Sequence, residues 1–283
     1  HIPGLEGNYE DGGAQMVRVC DGKSLPKGDP AKTYMLRVFG GRGHEVWDVS
    51  DPANPALLAR IGANLKDTHK NWWECDTGIA YLVSGLPDWR TRRMTQIYDL
   101  SDPKNPRHIR DFGLPGQEPG ATGTVPTELH GPISSGPQGN RVYFGYGTNK
   151  GGVLQIIDRE KLLQGPPAPT PDNLRAPVIG ELVMSPLVGA HTTYPLGKMS
   201  MPQFAKDKAG VVRDMVMIVD ESLVNECGDG ETRQMVWFVD ATIEKQPMVV
   251  SNYTPQEAAG NFCSRGGRFG AHPSNESMAA VVF

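Results

Sequence analysis

Short apolar runs alternate with turn-forming residues along this chain, and the runs come in a repeated order. Residues 46–59 read V-W-D-V-S-D-P-A-N-P-A-L-L-A, and residues 97–110 read I-Y-D-L-S-D-P-K-N-P-R-H-I-R. Each is a short apolar strand ending in Asp, a D-P-x-N-P turn, and a second strand. The turn has a physical basis: Asx side chains cap the backbone, and proline fixes φ while ending the strand before it. Looser copies of the Asp-ended strand follow at 153–158 (V-L-Q-I-I-D) and 235–240 (M-V-W-F-V-D). Ahead of each lies another apolar run: Met35–Phe39, Ile79–Ser84, Val142–Tyr146 and Val212–Val219.

The repeating unit is therefore strand A, which carries a histidine in most copies, strand B, strand C ending in Asp, a turn, and strand D. Four antiparallel strands at a period of roughly 50 to 80 residues is the sequence form of a propeller blade. The D-P-x-N-P turn after an apolar strand ending in Asp resembles the LVIVD-repeat family, over nearly the whole chain. That resemblance implies an all-β fold, a β-propeller of four-stranded blades, and it implies no particular activity, because the family is functionally mixed. The expected organisation is one propeller domain over residues 1–283, with blades at about 12–62, 63–113, 124–183 and 184–255. Partial blades are expected at 1–11 and 262–283, because His1-Ile2-Pro3-Gly4 matches the strand D endings and Met278–Phe283 reads as a second strand. The natural protein is then expected to continue beyond both ends and to close its ring with six or seven blades; five is the alternative if the terminal pieces form one blade.

Composition fits this picture. The 34 Gly and 24 Pro are spread along all 283 residues, as many short turns require. Mean hydropathy is -0.40, and no apolar stretch approaches the roughly 20 residues of a membrane-spanning helix. A net charge of -4 gives no reason to expect nucleic acid or an anionic membrane as partner.

The histidines carry the candidate chemistry. Four of the seven hold one place in their repeats: His69, His130, His191 and His272, at steps of 61, 61 and 81 residues. In the first full blade Gln15 stands where histidine would be. Strand A is expected to be the innermost strand of each blade, so equivalent positions face one another across a central channel. Imidazole-rich ligation suits Cu or Fe, with Zn as a further candidate, better than Mg or Ca. Asp67, Glu74, Glu128 and Glu276 lie close to these histidines in sequence and are candidate acceptors for the non-ligating ring N–H groups. The flanking residues vary (Thr68, Leu129, Ala190, Ala271) while the histidine stays, which favours a metal. The competing reading is a structural histidine that hydrogen-bonds between blades. His1, His44 and His108 fall outside the register; His44 and His108 read as surface or capping residues.

Four cysteines form no C-x-x-C zinc pattern. Cys20 and Cys75 occupy matching places on strand A of adjacent repeats, which makes them candidate disulfide partners and leaves Cys227 with Cys263; free buried thiols are the alternative. Disulfides place the protein in the periplasm or outside the cell. Trp72 and Trp73 read as packing between blades, with an aromatic ligand wall as the alternative. Arg90, Arg92 and Arg93 form a basic tuft in a B–C loop, read as solvated charge or as a site for an acidic substrate group. The Pro-rich segment 161–176 and the loop 114–127 are candidate lids over the histidines. No G-x-S-x-G or H-E-x-x-H occurs, and the Gly-rich pieces do not connect a strand to a helix, so phosphate-cradling loops are not supported.

The function expected from these residues is a metal-dependent oxidoreductase acting on a small organic molecule, with oligomerisation left open. The alternative is a non-catalytic extracytoplasmic binding or scaffold propeller with structural histidines. A calcium-dependent lactonase is the weaker third option, since no ring of Asp, Asn and Glu ligands is evident.

Overall fold

A computed structural model describes residue 2 and residues 16–40, 43–62, 65–201, 211–223, 235–254 and 271–272. The expected partial blades at 1–11 and 262–283 fall almost entirely outside these residues, as do Cys227, Cys263 and Glu276. The described chain forms four sheets, each of four antiparallel strands, and each sheet is a simple meander. The first holds β1 (Val17–Asp21), β2 (Thr33–Phe39), β3 (Gly43–Asp48) and β4 (Ala56–Ile61). The second holds β5 (Asn71–Trp73), β6 (Ile79–Ser84), β7 (Met94–Asp99) and β8 (Arg107–Phe112). The third holds β9 (Leu129–Ser134), β10 (Arg141–Tyr146), β11 (Val153–Asp158) and β12 (Val178–Val183). The fourth holds β13 (Thr192–Ser200), β14 (Val212–Val219), β15 (Val236–Asp240) and β16 (Met248–Tyr253). These are blades of the propeller type. Three short helices interrupt the pattern: α1 (Gly136–Gly139), α2 (Arg159–Gln164) and α3 (Pro171–Arg175).

The four blades share a detail that the linear pattern does not display. The pairing of strand C with strand D slips by one residue at Val46/Trp47, Ile97/Tyr98, Ile156/Ile157 and Phe238/Val239. In every blade that is the step two residues before the Asp that ends strand C. A bulge bends its strand and increases the local twist.

The D-P-x-N-P turns are built from side-chain caps. Asp51 Oδ1 accepts from Ala53 N at 2.9 Å and its Oδ2 from Asn54 Nδ2 at 2.7 Å. Asp102 does the same with Lys104 N at 3.0 Å and Asn105 Nδ2 at 2.8 Å. The Asp ending strand C caps the turn from the other side: Asp48 and Asp99 accept from Ser50 N and Ser101 N at 3.1 and 2.8 Å. The Lys32 ammonium on Asp48 and the Ser50 hydroxyl hold that carboxyl down at about 2.

By its internal contacts the chain divides into two compact units: residues 1–140 with 159–177, and residues 141–158 with 178–283. The core of the first contains Cys20, Tyr34, Leu36, Val46, Ile61, Trp73, Leu82 and Leu100. The core of the second contains Tyr143, Leu154, Ile156, Met184, Val216, Ile218 and Val239. Both are layers of alternate strand residues, as expected where each side of a strand meets a different neighbour. Trp73 lies in the first core, and the Arg18 guanidinium covers the ring of Trp72 at 4.5 Å. Both tryptophans are thus packing residues rather than the wall of a ligand pocket.

Candidate metal centre

In the first unit, His69 precedes β5 and His130 is the second residue of β9. Their Nε2 atoms face each other at 2.7 Å, with the rings edge to face. Both side chains are buried. The backbone sets each of them: His69 N donates to Val83 O at 3.0 Å, and Leu129 N donates to Arg93 O at 3.2 Å. Two imidazoles on one tetrahedral ion, with metal–nitrogen distances of 2.0–2.1 Å, would hold their nitrogens about 3.3 Å apart. The observed separation is about 0.6 Å shorter than that.

In the second unit, His191 precedes β13, and the carboxylate of Glu221 lies against two histidines. His191 Nε2 is 3.5 Å from Glu221 Oε2, and His272 Nε2 is 3.2 Å from Glu221 Oε1. The two rings stand 4.9 Å apart between centroids. The other nitrogen of His191, Nδ1, lies 2.8 Å from the Thr192 hydroxyl, which orients the ring. Glu221 N donates to Thr148 O at 3.1 Å, fixing the start of the B–C corner. His191 is buried, whereas half of the His272 side chain is exposed.

Glu221 is not among the residues that the sequence singles out, yet a signal for it exists. In the first three blades strand B is followed by glycine: Gly40, Gly85 and Gly147. In the fourth, Asp220 and Glu221 stand at that corner. Asp220 is fully buried, accepts from Trp237 Nε1 at 2.7 Å, and burial pushes its carboxyl up to about 7. A carboxylate thus stands beside the imidazoles of His191 and His272.

Three of the expected acceptors, Glu74, Asp67 and Glu128, have arginine partners. Glu74 lies five residues beyond His69 along an extended segment, about 16 Å if fully extended. It accepts from Arg159 Nε and Nη2 at 2.8 and 2.6 Å, from Tyr81 Oη at 3.0 Å and from Ser134 Oγ at 2.6 Å. Asp67 pairs with Arg92 and Arg93 at 2.7 and 3.1 Å, and Glu128 pairs with Arg92. The arginines of the tuft are therefore paired with carboxylates and backbone carbonyls, with Arg92 still exposed to solvent. Arg93 is buried, and Arg90 donates to Gly116 O at 2.8 Å and Gly123 O at 2.6 Å, tying down the loop 114–127. Arg110 of β8 donates to Leu162 O and Asn173 O at 3.0 and 3.2 Å, which docks the 161–176 segment on the fourth strand of the second blade.

Two other histidines are now placed. His44 is not a surface residue: it is fully buried at the start of β3, both ring nitrogens lack a partner of hydrogen-bonding geometry, and burial pushes its pKa down to about 3. His108 lies on β8 as a partly exposed partner of Asp111, at 2.9 Å. Cys20 and Cys75 form a disulfide between the end of β1 and the residue after Glu74, with Cα atoms 5.5 Å apart.

No protein-family model matches the chain, and no curated protein matches it. Among solved structures it is similar to hydrazine synthase of Kuenenia stuttgartiensis, at 13% identity and a TM-score of 0.48, over 89% of this chain and 52% of that one. It is also similar to Chaetomium thermophilum Sqt1, solved bound to the N-terminus of ribosomal protein L10, at 12% identity and a TM-score of 0.43, over 82% of this chain and 50% of that one. A third, Chaetomium thermophilum Raptor, stands at 10% identity and a TM-score of 0.38, over 79% of this chain and 19% of that one. The chain spans about half the length of the first two.

Proposed function

We propose that the protein is a metal-dependent oxidoreductase of the periplasm or cell exterior, acting on a small organic substrate. In this reading His69, His130, His191 and His272 ligate one transition-metal ion on the axis of an LVIVD-type propeller, closed by six or seven blades. Glu221, beside His191 and His272, adds a candidate carboxylate ligand. The observation that carries the reading is the convergence of ring nitrogens within each unit: His69 on His130, and His191 with His272 about Glu221. These are the four histidines that share one register in the repeats.

Imidazoles combined with a carboxylate are the donor mix of non-haem iron sites, so iron is favoured, then copper, with zinc third. An ion held there would supply redox or Lewis-acid chemistry toward a bound substrate. The chain's own groups provide orientation. Thr192 sets the His191 ring, and the backbone bonds of His69 and Leu129 set the other pair. The Cys20–Cys75 disulfide supports an oxidising compartment. No described helix is long and apolar enough to cross a membrane.

A second reading, a non-catalytic scaffold propeller, is favoured by the direct contact between the His69 and His130 nitrogens, which a shared hydrogen alone would satisfy. Elemental analysis of protein purified without chelators separates the two. Stoichiometric Fe, Cu or Zn, lost in His130→Ala and His191→Ala with circular dichroism unchanged, is the result expected of the enzyme. Folded protein that neither carries nor takes up any of these metals would overturn it.

A further inference from the structure

The B–C loop of the second blade, residues 85–93, lies against the segments that lead into two strands with candidate ligands. Lys66 and Gly85 exchange both backbone hydrogen bonds, at 2.7 and 2.8 Å. Arg93 O receives Leu129 N at 3.2 Å. The approach is close: a Cβ on Gly85 would stand 2.2 Å from Arg92 O, so only glycine is accommodated there. From this loop Arg92 reaches both lead-in segments at once. Its Nε–H donates to Glu128 Oε2 at 2.9 Å and its Nη2 to Glu128 Oε1, while Asp67 Oδ2 lies 2.7 Å from the same Nε as an ion-pair contact outside hydrogen-bonding geometry. Asp67 and Glu128 each stand two residues before a histidine of the facing pair. Asp67 also holds a left-handed backbone, φ 50°, an uncommon conformation outside glycine that its surroundings must maintain. Arg93, buried beside it, takes its other oxygen at 3.1 Å.

We infer that Arg92 is a positioning residue that sets the separation of His69 and His130 by clamping Asp67 to Glu128. The inference rests on the reading of those histidines as metal ligands for its functional meaning, while its geometry stands independently of any metal. A planar guanidinium suits the task, since it grips Glu128 through two N–H groups in fixed directions while its charge faces Asp67; an ammonium gives a point charge without that geometry. Arg92 is itself 58% exposed, so the clamp is weakened by salt in a way that buried pairs are not. Its effect on global stability is therefore small, and its effect is concentrated on the histidine pair.

The test uses the whole protein with ring-labelled histidine and the variants Arg92→Gln, Arg92→Lys and Glu128→Gln. The first readout is the NOE between the ring protons of His69 and His130. The second is affinity for Zn(II), measured by competition with a chromophoric chelator. The wild type is expected to show the NOE. Arg92→Gln is expected to lose it and to bind Zn(II) roughly tenfold more weakly, the scale of an outer-sphere defect, with its urea midpoint nearly unchanged. Arg92→Lys and Glu128→Gln are expected to fall between. If the NOE persists in Arg92→Gln, or is absent from the wild type, the clamp is overturned whatever the affinity. If the NOE is lost as expected but wild-type protein binds no Zn(II), the clamp stands and the metal reading falls.

Discussion

His69 Nε2 and His130 Nε2 meet at 2.7 Å although 61 residues separate them in the chain. At that distance only one hydrogen fits between the two nitrogens, so one ring donates and the other accepts. Both rings are buried; the backbone N–H of His69 bonds to Val83 O, and that of Leu129, next to His130, bonds to Arg93 O. The pair is therefore a product of strand placement, and any change that shifts one of the segments leading into β5 or β9 shifts the contact.

Glu221→Gln preserves the shape of the side chain and removes its charge. It is expected to weaken Fe(II) or Zn(II) binding about 10- to 100-fold, on the scale of perturbed ligand spheres. Isothermal titration under anaerobic conditions reads this directly. Binding equal to the wild type would remove Glu221 from the ligand set and leave the histidines alone.

His44 gives the fold a pH dependence of known sign. Its folded pKa is about 3, against 6.5 in the unfolded chain. Between those values the unfolded state binds the proton and the folded state does not, so stability rises with pH through that window and falls as pH drops. The slope from one such group is at most about 1.4 kcal/mol per pH unit. Urea unfolding at pH 4, 5.5 and 7 should show this loss in the wild type. His44→Phe should flatten it, because an apolar ring carries no proton and fills a similar space. An unchanged pH slope in the variant would mean that other groups set the acid limit.

Arg159 and Glu74 form a buried ion pair bridging the segment after β11 to the end of β5, with side chains 10% and 2% exposed. Arg159→Ala leaves the carboxylate buried, with only the Tyr81, Ser134 and Thr77 hydroxyls as partners. Removal of one member of such a pair costs about 3–5 kcal/mol. Adding Glu74→Gln to that variant should recover part of the loss. The measurement is the denaturation free energy of the two single variants and the double variant, and full additivity would contradict the coupling.

Reduction of Cys20–Cys75, or Cys75→Ser, releases a closed loop of 55 residues. Chain entropy then predicts a loss of about 4 kcal/mol. Guanidinium melts with and without a phosphine reductant should differ by that order. Coincident melts would show that the strand contacts alone hold the two segments together.

Much of this architecture is legible along the chain because it is carried by local chemistry. The Asp-ended strands, the D-P-x-N-P turns and the preceding apolar runs all form where they are written, since a turn cap involves residues two or three apart and a strand face involves alternate positions. The pairing of Cys20 with Cys75 follows from the same reading, because equivalent positions on successive strands A are brought together by the repeat itself. The register of His69, His130, His191 and His272 is also a property of the repeat. The roles expected of Glu74, Asp67 and Glu128 rest on closeness in sequence, while the partners the structure gives them are arginines from other segments. A few residues of extended chain carry Glu74 to the opposite end of strand A, where Arg159 neutralises it.

What the chain by itself determined is therefore the unit, four strands and their turns, together with the regular sequence spacing of its histidines. Only the tertiary structure decided which carboxylate faces the histidines, that His44 is sealed from water, and that one arginine joins the segments ahead of His69 and His130. The reason is that charge pairing and burial depend on distances through space between segments tens of residues apart. A repeat records where each blade begins and ends, while the partners of its loop residues belong to the neighbouring segments and differ from one copy to the next.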